Sequence, residues 1–89
     1  MTSIEQLAGR AFRAAEPRLP VDDARDIAGD LAAGEHEIAM ITLVEVAPSL
    51  VDRSDVDELE RLARGFDAVD GPIALRVIAA WRRSSLLSA

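Results

Sequence analysis

With 89 residues, 49% of them hydrophobic, the chain has the size of one domain spanning 1–89 around one core. Its net charge of −6, with all ten basic residues arginine, argues against nucleic acid or an anionic membrane as partner, since both attract basic surfaces. The absence of cysteine excludes a disulfide framework and a thiolate metal site.

The aromatics are few, Phe12, Phe66 and Trp81, whereas Ala, Leu, Val and Ile are abundant, a balance that favours packed helices over sheets. The first residues lack the charged-then-apolar layout of a signal peptide. No apolar run approaches the ~20 residues of a membrane span, so a cytoplasmic protein is expected.

Ser3 followed by Gln6 reads as a capping box, after which Ile4, Leu7, Ala8, Ala11, Phe12 and Ala15 recur at helical spacing. This predicts a first helix over 3–15, ended by Pro17 and Pro20. A second helix over 20–33 carries the stripe Val21, Ala24, Ile27, Ala28, Leu31 and Ala32, with aspartates over its outer surface. Gly34 then supplies the residue type that helix C-termini prefer. A third helix over 35–47 is apolar on most of its circumference, through Ile38, Met40, Ile41, Leu43, Val44, Val46 and Ala47, and is expected to be buried among several neighbours.

Pro48 stops the third helix, and Ser54 is the expected N-cap of a fourth, over 54–68, with the stripe Val56, Leu59, Leu62, Ala63, Phe66 and Val69. Asp70-Gly71-Pro72 reads as a turn with Pro72 at the first position of a fifth helix over 72–86, where Ile73, Ala74, Val77, Ile78 and Trp81 face inward. The expected fold is all-α, a compact bundle of about five short antiparallel-leaning helices.

No catalytic or cofactor signature accompanies these elements. His36-Glu37 begins like the two-histidine zinc motif of metalloproteases, but Met40 stands where the second histidine is required, so no metal site is expected and His36 reads as an exposed first-turn residue. The paired acids Asp22-Asp23 and Asp55/Asp57/Glu58 lie at helix starts without a nucleophile or base beside them; capping and solvation explain them, and no enzyme activity is expected. Trp81 could anchor an interface, but its register with Ile73, Val77 and Ile78 favours the core, with the indole N–H on a nearby acceptor.

The charge pattern carries more functional content. Residues 22–37 hold six acids against Arg25, and residues 52–60 hold five against Arg53, so the remainder of the chain is net basic. Concentrated charge of one sign steers an oppositely charged partner, and it is also what a solvated helix face looks like. The partner-binding candidates are Asp22, Asp23, Asp26, Asp30, Glu35 and Glu37 in the first cluster, and Asp55, Asp57 and Glu58 in the second. Both could act together if the second and fourth helices adjoin.

Over residues 24–66 the chain carries Ala24-x-x-Ile27-x-x-x-Leu31-x-x-Gly34-Glu35, then Ile38-Ala39-Met40-x-x-Leu43, then Ser54-x-x-Asp57-x-Leu59-x-x-Leu62. This resembles the small helical immunity proteins of bacterial polymorphic toxin systems, most nearly those of contact-dependent growth inhibition. The Gly34-Glu35 junction is the sharpest part of the likeness; many members carry an aromatic or larger residue where this chain has His36. The resemblance implies a protein that binds one cognate toxin domain with a basic surface, many such toxins being nucleases, and blocks it without catalysis or cofactor, as a monomer or weak homodimer. The other reading is a helical adaptor or self-associating module, which would leave a contiguous apolar patch exposed.

Overall fold

The computed structural model describes residues 2–88, with side chains described through residue 86, and it is all-helical among them. The helices are α1 (Ile4–Ala15), α2 (Val21–Ala32), α3 (His36–Val46), α4 (Arg53–Ala63) and α5 (Asp70–Ser88). Short 3-10 turns at Glu16–Arg18 and Pro48–Leu50 carry the prolines that stop α1 and α3. The Cα radius of gyration is 12.0 Å, the value of about 12 Å expected for a globule of this length. No helix among the described residues is long and apolar enough to cross a membrane.

Local chemistry accounts for the start of α1 and the end of α2. The Gln6 N–H donates to Ser3 Oγ at 3.1 Å, and the Ser3 N–H donates to Gln6 Oε1 at 3.0 Å, which closes the expected capping box. Gly34 has φ 79°, the left-handed conformation that a side chain disfavours. The turn it allows lets the Glu35 N–H reach the Asp30 carbonyl at 2.8 Å and the Gly34 N–H reach Leu31 at 3.1 Å. Those are the two bonds of a Schellman motif, and they satisfy carbonyls that the end of α2 would otherwise leave open.

α3 is the hub. It packs on α1, α2 and α5, and α4 closes the bundle against α5 and α1. Met40, Leu43 and Val44 are fully buried with Leu7 of α1, Ile27 of α2, Val56 and Leu59 of α4, and Ile78 of α5. Each element thus contributes to one core, and no polar or charged residue is buried among the described residues.

Four boundary and burial expectations are corrected. Ser54 is the second residue of α4 and does not cap it; Asp52 stands at the N-cap position. α4 ends at Ala63 and does not run to 68, because the chain turns through Gly65 and Phe66 with N–H bonds to Leu62 and Ala63. α5 begins at Asp70, before the expected 72: Asp67 Oδ1 accepts the N–H groups of Val69 at 2.9 Å and Asp70 at 2.7 Å, and so caps the helix. Pro72 fits inside that first turn because N–H groups there need no intrahelical acceptor. Finally, Val21, Ala28, Ile38, Val46 and Val69 are exposed. α2 packs chiefly on α3 and to a lesser extent on α1, which is too little cover for the wide stripe its sequence offers.

Candidate partner-binding surface

The two acidic clusters have different surroundings. On α4, Asp55 accepts from Arg10 of α1 at 2.8 Å, Glu58 from Arg61 at 2.7 Å, and Asp57 and Glu60 share Arg82 of α5 at 2.9 and 3.0 Å. Arg61 also donates to the Thr2 carbonyl at 3.2 Å. Arg82 thus reaches from α5 back over α4. Asp55 ties α4 to α1, Asp57 and Glu60 tie it to α5, and Glu58 pairs within α4, each surface pair contributing roughly 0–1 kcal/mol.

On α2, by contrast, Asp22, Asp23, Asp26 and Asp30 have no ion-pair partner among the described residues. At 3.6 residues per turn these four positions fall within an arc of about 100° on one flank of the helix. Asp22 and Asp26 are exposed, Asp23 and Asp30 half-buried beside the core-facing Ile27. Asp22 and Asp23 complement the positive start of the helix dipole. Asp26 and Asp30 do not: each follows another aspartate by four residues, an arrangement that costs a helix roughly 0.2–0.5 kcal/mol per pair. No basic residue lies in the last turn of α2 to offset Asp30.

The two clusters do not merge. α2 and α4 share no extensive contact, while α1 packs on both of them. Glu35, exposed, continues the α2 flank across the Gly34 turn. Glu37 does not: it is half-buried and points toward the start of α5, where it shares a hydrogen bond with Asp70.

Glu37, Asp67 and Asp70 bring carboxylate oxygens within 4.8 Å of one another, a grouping that spacing along the chain does not reveal because its members come from α3, a turn and α5. Burial first, then the bond to Asp70 and the charges of Asp70 and Asp67, push the Glu37 carboxyl above its ordinary range. Of the described residues these are the ones placed to share a cation, and a shared proton between Glu37 and Asp70 answers the same crowding. His36 is half-buried, not the exposed residue expected, and its Nδ1 is enclosed with no hydrogen-bond partner among the described residues.

Trp81 takes the core position expected of it. It packs on the core, and its Nε1–H donates to the Pro48 carbonyl at 2.8 Å, while the rest of the ring lines a surface groove. Set against known proteins, the chain matches no family model, no curated protein and no solved structure.

Proposed function

We propose that the chain is a stoichiometric inhibitor of the immunity type, which binds a cognate toxin domain through the acidic flank of α2 and acts without catalysis. The observation that carries this reading is the single arc of Asp22, Asp23, Asp26 and Asp30, none of them in an ion pair among the described residues. Glu35 extends it across the Gly34 turn, the junction on which the resemblance to immunity proteins is sharpest. A basic surface such as a nuclease's would meet this flank by charge complementarity, which speeds encounter and competes with a phosphate backbone. A tight inhibitor interface covers roughly 1,200–2,000 Å² in total, so the aspartates would form its charged part and apolar neighbours the remainder. Asp55, Asp57 and Glu58 are the weaker candidates, since their charge is already matched by Arg10, Arg82 and Arg61.

The test begins with the adjacent upstream gene: where it encodes a long secreted protein, the C-terminal domain of that protein is co-expressed with this chain and cell survival is scored. Asp22→Arg/Asp26→Arg/Asp30→Arg should abolish protection while circular dichroism and thermal melting show an intact fold. Asp55→Asn/Asp57→Asn/Glu58→Gln should keep protection and lose some thermal stability. Full protection by the folded triple α2 variant overturns the reading.

A further inference from the structure

A groove of about 500 Å³ runs along α5 where it meets the end of α3, and none of the α2 acids lines it. Ile73, Val77, Ala80 and Trp81 form its α5 side at successive three- and four-residue spacings, and Val44 and Pro48 form the opposite wall. Two smaller depressions continue it past Trp81 toward the exposed Leu86, so that all three share the indole. From Ile73 to Leu86 the surface is about 20 Å long at the helical rise, the length of three to four turns of a second helix.

Three of the four charged residues lining this apolar strip are arginines, in a molecule of net charge −6. Arg76 lines the groove and Arg53 its continuation, and neither has an ion-pair partner among the described residues. Arg82 is held by Asp57 and Glu60, two acids to one arginine, and Glu45 is the one acid in the lining among the described residues. From Ile73 onward α5 contains three arginines and no acid.

We propose that this groove is a docking site for an amphipathic helix of another protein, with leucine-like anchors on one face and acidic residues along its flanks. Anchors at i, i+3, i+4 and i+7 fit the α5 strip in the helix-in-groove mode, and no strand among the described residues offers an edge to an extended segment. A second copy is a poorer occupant. Its own groove would bring Arg53 and Arg76 toward their like, and its acidic helix α2 has Ile27 and Leu31 turned into the core. This site stands independently of the α2 reading, on other residues and with the opposite charge.

Trp81 is the sole tryptophan in a chain without tyrosine, so its emission reports on the groove directly. The probes are two synthetic helical peptides of about 18 residues with one leucine pattern, flanked by glutamate in the first and by lysine in the second. The glutamate peptide should give a saturable blue shift of Trp81. Arg53→Glu/Arg76→Glu should weaken it about tenfold, and Ala80→Arg, on an exposed position, should abolish it with the thermal melt unchanged. Equal or tighter binding of the lysine peptide overturns the proposal, as does the lack of a shift with either peptide. A blue shift that follows protein concentration alone, with a dimer in sedimentation, assigns the groove to a second copy and overturns it as well.

Discussion

The indole N–H of Trp81 donates to the carbonyl oxygen of Pro48 at 2.8 Å, which ties α5 to the 3-10 turn that ends α3. The bond joins residues 33 positions apart and holds a residue that both packs on the core and lines the groove. Trp81→Phe keeps most of the apolar surface and removes the donor. A net hydrogen bond contributes about 0.5–1.5 kcal/mol, and in a domain of this size each kcal/mol shifts Tm by about 4–8 °C. A melt followed by circular dichroism should therefore show a fall of several degrees, and an unchanged Tm would mean that the bond contributes nothing net.

Two glycines near the end of α2 should respond to alanine with opposite signs. Gly34 has φ 79°, and a Cβ added there would meet nothing within 4 Å, so the whole cost of Gly34→Ala is conformational, about 1–2 kcal/mol. Gly34→Asn should cost less, because asparagine tolerates the left-handed region. Gly29 is helical, exposed and equally free of neighbours, and Gly29→Ala should stabilise by about 0.5–1 kcal/mol. Urea denaturation of the three variants measures all of these; a stabilised Gly34→Ala would contradict the Schellman geometry.

The features legible in the sequence are those whose causes are local. Ser3 and Gln6 are three residues apart, and Gly34 stands directly after the last turn it ends, so both caps can be read from spacing. The start of α5 cannot, because the capping group is the side chain of Asp67 while the proline that suggests a later start fits the first turn equally well. The exposure of Val21 and Ala28 depends on how many helices reach α2, which periodicity does not record. The same limit applies to the candidate site. The α4 acids look as available as the α2 acids until the fold brings Arg10 from 45 positions away and Arg82 from 25 positions away.

Arg82 should behave as a screened surface tie. It bridges Asp57 and Glu60, and hydrogen bonding to Asp57 first of all holds its guanidinium protonated beyond its ordinary range. Arg82→Ala removes both bonds and leaves two like charges three residues apart on α4. The expected loss is about 0.5–1 kcal/mol at low ionic strength. It should shrink in 1 M salt, where the Debye length is about 3 Å. Denaturation of both proteins at the two salt concentrations checks it, and a loss independent of salt would point to packing of the arginine stem in place of charge.

Glu37 gives the chain a pH dependence of opposite sign to that of a salt-bridged carboxylate. Its carboxyl titrates above the ordinary value of 4.5 because of burial, the bond to Asp70, and repulsion from Asp70 and Asp67. Between 4.5 and that raised native value the folded state holds a proton that the unfolded state has released. Stability is therefore fully present below the unfolded value and is lost as pH rises through the folded one. Glu37→Gln carries no ionisable proton and can donate its amide N–H to Asp70 at every pH, so it should not suffer this loss. At pH 7 it should melt about 2–4 °C above the parent chain, the scale of roughly 0.5 kcal/mol in a domain of this size. The two curves should converge as pH falls below the unfolded value, because the native Glu37 is then protonated as well. A variant less stable than the parent at pH 7 would mean that the ionised Glu37 is held by favourable contacts, and that crowding with Asp67 and Asp70 is not what governs it.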